Sequence, residues 1–531
     1  MSFSISKAPY STVQLAKRDL AFIQADNQLM TFIPFQDTLD GLRKKITHRQ
    51  QFPFSRKELC QALIKQYTPL PDAKRSLQNI DLLQLNNTFT VTTAHQPSLF
   101  TGPLYFIYKA ASCIHLAHQL QTEFPTFNFV PIFVLGAEDH DFAEINHLHL
   151  YNKTIEWNKE AGGPTGLMST DGLQPIIQEL SNILPDTEHA KKIIGDLSSS
   201  YSADKNFAEA TQEFVHRLFG KYGLVVLQMN APELKQLAIP IFRKEIIDQP
   251  SFALINQTIT QLKSIGFKPQ AKPRELNLFY MTKDLRKRIV FKNGLYQVLD
   301  TKITWTQAEI LQELDQSPES FSPNVVTRPL YQELVLPNIA YVGGGGELAY
   351  WQERHTQFQA FGLSYPVLIR RNSALFVSPY IQKQLNKIKL SASDLFKSSK
   401  DLALQIDTDN VELTVEKELD LLSHLYDSLA QKADSIDATL RPSILAEKAK
   451  QEKAIKKIAS KLNKAYKEKN KNTISKIEKL QGKLFPNGGL QERYDNFLPI
   501  YADYGQDFID FLVQTLNPLD KEFAIISVVD S

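Results

Sequence analysis

The stretch from residue 89 to residue 149 restricts the fold more than any other part of the chain. Phe89-Thr90-Val91-Thr92-Thr93 is a run of β-formers. It breaks at Ala94-His95-Gln96-Pro97-Ser98-Leu99-Phe100-Thr101-Gly102-Pro103. Leu104, Ile107, Ala111 and Ile114 then recur at helical spacing and share one face. Pro103 suits the first turn of that helix, where its missing N–H would be unpaired anyway. A second apolar run, Phe129 to Leu135, ends in Gly136-Ala137-Glu138-Asp139-His140-Asp141. Strand, polar loop, helix, strand and polar loop make a βαβ unit, right-handed by default. Both loops follow the carboxyl ends of their strands, the edge where open α/β sheets bind ligands. The first feeds a helix over residues 103–120, whose free N–H groups favour an anion. The second sets three carboxylates and an imidazole in four residues, and a purely structural role would have to solvate or pair them all.

The rest of the chain extends this unit. Its 531 residues allow two to four domains. Residues 1–85 read as helices packing on the core, including Arg56 to Tyr67 and Ala73 to Leu83. Residues 86–410 read as a parallel-sheet core with insertions at about 151–220 and 257–320. Gly223 to Met229 is a buried strand of that sheet. Ile289 to Tyr296 is a hairpin turning at Asn293-Gly294. Val335 to Val342 is strand-like and runs into Gly343-Gly344-Gly345-Gly346-Glu347, and Pro366 to Ile369 is a further strand ending in Arg370-Arg371-Asn372-Ser373. The character changes near Val411. Leu422, Leu425, Leu429, Ile436 and Leu440 keep helical spacing, as do Ile455, Ile458, Leu462, Ile474 and Ile477. Residues 411–485 therefore read as a long antiparallel helical coiled coil. Pro486-Asn487-Gly488-Gly489 ends it, and residues 486–531 are expected to return to the main sheet through Phe523 to Val528.

Composition removes several classes of function. A net charge of +2 gives no whole-protein case for nucleic acid or an anionic membrane. Between Ser443 and Lys483 there are 13 lysines and 4 glutamates, but no series of aromatics interleaves to stack on bases, Tyr466 being the one aromatic there, so a solvated coiled-coil face is the reading. No apolar run reaches the length of a membrane span. Met1 to Lys7 lacks a signal-peptide apolar region. Cys60 and Cys113 form no CxxC pair, and a reducing cytoplasm is expected.

Several residues could carry chemistry. Gly343 to Gly346 has neither the lysine nor the hydroxyl of a P-loop, yet offers close backbone approach at a helix start; a tight turn without ligand is the plainer reading. His95 suits anion binding or acid–base work, against a merely polar loop histidine. Arg328, in Asn324-Val325-Val326-Thr327-Arg328-Pro329, and Arg370 with Arg371 could clamp carboxylate or phosphate, against ordinary surface arginines. Glu138, Asp139, His140 and Asp141 with His147 and His149 invite a metal, but the spacing is not HExxH, and no tightly bound metal is expected.

Four ordered motifs carry a resemblance: His95-Gln96-x-x-Leu99-Phe100-Thr101-Gly102-Pro103-Leu104-Tyr105-x-Ile107; Gly136-x-Glu138-Asp139-His140-Asp141-Phe142-x-Glu144-Ile145-Asn146-His147; Asn324 to Pro329; and Leu336-Pro337-x-x-Ala340-Tyr341-Val342-Gly343-Gly344. The chain resembles the bacillithiol biosynthesis cysteine-adding enzyme family, end to end, including the late coiled coil and Gln491-Glu492-Arg493. Ala94 stands where that family usually has glycine. The resemblance implies a Rossmann-like core with inserted segments and a coiled-coil domain that pairs two chains. It implies addition of L-cysteine to the amine of glucosaminyl malate, completing the low-molecular-weight thiol bacillithiol. Class I aminoacyl-tRNA synthetases, with a similar core, carry HxGH after the first strand; His95 lies at that place without the second histidine.

Such a reaction forms an amide. A carboxylate is a poor acyl donor, so ATP, with magnesium, is the expected activator. The enzyme must then stabilise an oxyanion and accept a proton from the amine. His95, Glu138, His140 and Asp141 are the candidates for the chemistry. Gln96, Thr101, Gly102, Asp139, Asn324, Arg328, Gly343, Gly344, Glu347, Arg370 and Arg371 are the candidates for substrate binding, with Gln96, Thr101 and the helix start after Gly102 placed to bind an anion or phosphate. Two rival readings are a metallohydrolase built on Glu138 to Asp141 and a non-catalytic coiled-coil scaffold.

Overall fold

The computed structural model describes residues 2–160, 162–406 and 414–529. They form two compact units, one running through Phe376 and resuming at Leu490, the other Val377–Gly489.

The first unit is built on a five-stranded sheet. Its strands are β1 (Thr88–His95), β2 (Asn128–Leu135), β3 (Val225–Gln228), β4 (Asn338–Gly343) and β5 (Val367–Arg370). The order is β5-β4-β1-β2-β3 and every neighbouring pair is parallel. The chain winds outward from β1 in one direction and, after β3, crosses back to lay down β4 and β5 on the other side. That reversal puts the switch point between β1 and β4.

Parallel strands bury both faces, so their apolar residues alternate between two cores. Phe133, Leu135 and Val226 pack with the helix Tyr105–Glu123. Val130, Ile132, Val134, Val225 and Leu227 pack with the helices Arg56–Tyr67 and Pro232–Asp248. Each such side chain stabilises by roughly 1.5–3 kcal/mol through burial. One seam of the sheet is polar instead. Thr90 and Thr92 donate their hydroxyls to Asn338 Oδ1 at 3.2 and 2.9 Å, and Asn338 Nδ2 donates to Glu333 at 2.8 Å. Thr93 Oγ1 donates to Val342 O at 2.7 Å. The three threonine bonds cross the β1/β4 switch point and fix β4 against β1.

The insertion before β4 carries an antiparallel sheet, Thr304–Trp305, Leu295–Val298, Arg286–Lys292, Leu278–Met281 and Phe321–Pro323 in spatial order. Its hairpin turns at Asn293 and Gly294, with φ of 53° and 80°, as the Asn-Gly pair leads one to expect.

Three expectations are corrected. Residues 1–85 are not all helical, because Ser2–Pro9 is a strand. The tail does not rejoin the main sheet: Glu522–Val529 runs antiparallel to Ser2–Pro9 and lies between it and Ala374–Val377 in a separate three-stranded sheet. The backbone leaves β5 at Arg370 and turns through Ser373, whose carbonyl accepts from Ala524 N–H at 3.0 Å. Finally, Val335 ends the helix Arg328–Val335, and the strand begins only at Asn338, after Leu336-Pro337; proline supplies no N–H to a ladder.

In the second unit, Glu416–Ile436 and Arg441–Lys469 form an antiparallel helical hairpin. Lys448 ties them together, donating to Ser423 and Asp427 at 2.8 Å each. Lys471–Leu484 follows, burying Ile477, Leu480 and Leu484. The expected boundary at Val411 lies outside the described residues, and the unit itself begins at Val377. Among the described residues, no helix is long and apolar enough to cross a membrane.

Candidate active site

A cavity of about 780 Å³ opens at the carboxyl end of β1, β2 and β4. It gathers His95, Gln96, Glu138, Asp139, His140, Asn324, Arg328, Gly344, Glu347 and Arg371, ten residues proposed from sequence. Tyr105, Lys109, Lys272, Arg274, Arg286, Arg288 and Arg493 line it as well.

His95 ends β1 and is held by its own chain. Its Nδ1 lies 3.0 Å from Gln96 O and its Nε2 2.9 Å from Tyr105 Oη. A carbonyl only accepts, so Nδ1 carries the hydrogen and Nε2 accepts from the tyrosine. Burial, with the Lys109 ammonium nearby, pushes the imidazole down to about 4, so the ring is neutral at neutral pH.

The loop after β2 is knit to its surroundings. Gln96 Nε2 donates to Asp139 Oδ2 at 2.6 Å, and His140 N–H donates to Asp139 Oδ1 at 2.8 Å. Burial alone would raise the Asp139 carboxyl. Hydrogen bonding by His140, the Arg286 charge and Gln96 overcome that and hold it well below the usual carboxylate range. Arg286 Nη1 donates to His140 Nδ1 at 2.8 Å, and its guanidinium lies 4.1 Å over the Phe279 ring. Glu138 pairs with the fully buried Lys235 at 2.5 Å. The four-residue cluster therefore turns to different partners, and among the described residues no three His, Cys, Asp or Glu side chains gather as a metal site. Asp141 lies outside the cavity lining, exposed, at the start of Phe142–Ile145.

The glycine loop after β4 differs from its expected role. Gly344 N–H donates to Glu347 Oε2 at 2.9 Å, and Lys109 meets the same oxygen at 2.6 Å. Burial opposes this carboxylate, but Lys109 outweighs it and the group sits down at about 2. A carboxylate thus occupies the helix start where an anion was expected, and Gly343 itself does not line the cavity. The Thr101–Gly102 turn is also a structural device. Gly102 has φ +61°, and an added Cβ would sit 2.9 Å from Ser98 Cβ. Its carbonyl and that of Phe100 accept from Asn496, while Leu104 N–H donates to Asp495 O at 2.8 Å. Thr101 is buried, with its hydroxyl unpartnered. Neither residue reaches the cavity lining. Arg370 is absent from it too, because its guanidinium grips Asp19 through two bonds of 2.9 and 3.1 Å. Asn324 lines the cavity but caps a turn, accepting from Val326 N–H at 2.7 Å.

The positive charge of the cleft comes from side chains instead. Among the described residues Lys272, Arg274, Arg288, Arg328 and Arg493 make no ion pair, and they line the cavity together with Arg371, whose Nε has no hydrogen-bond partner. Arg328 donates only to the neutral groups Gln332 and Tyr350, at 2.9 and 3.3 Å. Lys272 and Arg274 stand on a strap fixed at both ends. The buried Glu353 accepts from Gln270 N–H and Ala271 N–H at 2.8 Å each, and Asn277 accepts from Arg274 N–H at 3.0 Å. Sequence reading passed over this strap because it carries no motif.

Fold and site together define a Rossmann-like protein with a cation-walled cleft at the switch point of its sheet. The model of the Bacillithiol biosynthesis BshC N-terminal Rossmann-like domain matches residues 11–372, and that of the BshC C-terminal coiled-coil domain matches residues 374–528. A protein of Flavobacterium johnsoniae named "Putative cysteine ligase BshC" is 37% identical over 513 residues, covering 96% of each chain. One of Christiangramia forsetii with the same name is 39% identical over 482 residues, 89% of each. A third, of Bacillus cereus, is 27% identical over 512 residues, 93% of this chain and 94% of its own. The chain belongs to the BshC family of bacillithiol biosynthesis, as its four motifs led one to expect.

Proposed function

We propose that this chain is a cysteine ligase, joining the carboxyl of L-cysteine to the glucosamine amine of glucosaminyl malate to complete bacillithiol. The carrying observation is the cleft wall of Lys272, Arg274, Arg288, Arg328 and Arg493, cations without carboxylate partners in a cavity of about 780 Å³. A malate-bearing sugar and a nucleoside triphosphate are both polyanions, and unpaired guanidinium groups suit carboxylate and phosphate alike. The triphosphate supplies an activated acyl group. The same cations fit its phosphates, and Arg371 beside Gly344 would neutralise charge as the phosphate leaves. His95, Asp139 and His140 lie where β1 and β2 end, at the part of the cleft where the amine gives up its proton. Two copies pair through the helical hairpin of the second unit.

The experiment is incubation with cysteine, glucosaminyl malate, ATP and magnesium, with products read by mass spectrometry. The expected result is the cysteinyl amide, formed only with all substrates present. A folded protein that forms no amide would overturn the reading.

A further inference from the structure

We propose that Tyr105 is the residue that receives the nucleophilic amine, and that His95 is a positioning residue acting through it; this rests on the ligase reading above. Both nitrogens of His95 are engaged within the chain, Nδ1 with Gln96 O at 3.0 Å and Nε2 with Tyr105 Oη at 2.9 Å. A histidine so held offers an amine nothing directly. Tyr105 stands in front of it, half-buried, lining the cleft. Because its hydroxyl hydrogen points at His95, the oxygen presents its lone pairs elsewhere, and among the described residues no group donates to it.

The cleft's other acceptors make this significant. An amine needs an acceptor, and this cavity is walled by donors. Glu138 is held by Lys235, Asp139 by Gln96 and the His140 N–H, and Glu347 by Lys109 and the Gly344 N–H. The carboxylates of Asp139 and Glu347 are already hydrogen-bonded and that of Glu138 is charge-paired with Lys235, whereas Tyr105 Oη accepts no hydrogen bond among the described residues. Two cations flank the phenol: Arg371 lies 5.3 Å and Lys109 5.9 Å from its ring centre, where they stabilise negative charge developing on the oxygen.

The co-reactant is a mixed anhydride of the cysteine carboxyl with phosphate or a nucleoside monophosphate, made from the triphosphate. The amine nitrogen attacks its carbonyl carbon, a C–N bond forms, and the C–O bond to phosphorus breaks, the phosphate leaving with the electron pair. One amine proton passes to Tyr105 Oη as the phenolic proton passes to His95 Nε2. Burial and the Lys109 charge both disfavour the imidazolium, and the phosphate charge offsets the second of these. The imidazolium then returns its proton to solvent.

Tyr105→Phe keeps the ring and removes only the relay oxygen. Single-turnover, cysteine-dependent cleavage of ATP without the amino sugar should stay within about twofold of the parent, while amide formation with all substrates falls on the order of tenfold or more. His95→Ala should act on the same step, and the double variant should be no slower than the slower single one. Loss of both partial reactions together, or full amide formation in Tyr105→Phe, overturns the assignment. A separate binding arm does not depend on turnover. By calorimetry, the parent should bind glucosaminyl malate more tightly than its 2-hydroxy analogue, glucosyl malate, and Tyr105→Phe should lose that preference. An unchanged preference counts against Tyr105 even if the parent makes no amide, which would be the failure of the ligase reading instead.

Discussion

At the scale of single residues, the cleft separates groups that look alike in sequence. Asp139 and Asp141 are two positions apart; one is knit to Gln96, His140 and Arg286, the other faces solvent. Asp139→Asn should cut amide formation severely, because Gln96 and Arg286 both lose the charge they answer to. Asp141→Asn should leave turnover within about twofold, steady-state rates of both variants deciding the matter. His95 makes a claim about pH. Its folded-state imidazole, at about 4, binds a proton less readily than the unfolded chain, near 6.5. Between those values the unfolded state holds more protons, so stability falls as pH drops from about 6.5 to about 4. His95→Gln should flatten that part of the profile in denaturant titrations at successive pH values; an equally steep fall would show that other groups dominate it.

At the scale of elements, the turns and straps matter more than the helix starts. Gly102→Val puts a branched side chain at φ +61° with its Cβ 2.9 Å from Ser98. It should destabilise by about 1–3 kcal/mol in denaturant unfolding, with any loss of activity following the loss of fold. Glu353→Gln weakens one end of the strap bearing Lys272 and Arg274 and also takes the carboxylate from the buried Arg18; with the fold checked by denaturant unfolding, it should raise KM for an anionic substrate more than it lowers kcat. The βαβ unit was legible because strands, helix and loops each kept their period, and the loops' placement at the sheet edge follows from that topology. What those loops bind with was not legible. Whether a helix start is free for a ligand depends on what the rest of the chain brings to it, and here that is Glu347 from the same turn and Asp495 from far along the sequence. The arginine pair divided for the same reason: Arg370 met Asp19, and Arg371 met Glu492 and the cleft. Ser2–Pro9 did alternate, Phe3 and Ile5 between serines, but a run this short is overruled easily when helices follow.

At the scale of the molecule, the second unit leaves an apolar stripe bare. Leu421, Leu425 and Ile436 are 71%, 56% and 82% exposed, and Ile458 and Leu462 follow on the next helix. Bare leucines at helical spacing are the surface that a second helical hairpin covers. Leu425→Lys with Leu429→Lys should convert a dimer to a monomer in sedimentation; an unaltered dimer would place the interface elsewhere. The small sheet of the first unit has a consequence of another kind. Its middle strand is Glu522–Val529, and it docks on Ser373, two residues after Arg371. During translation the two outer strands leave the ribosome long before the strand that joins them. A nascent chain interrupted before residue 522 has two unsatisfied β edges and an Arg371 segment without this clamp. A chain ending at residue 521 should therefore be cut by protease faster than the full chain, and limited proteolysis of the two would show it.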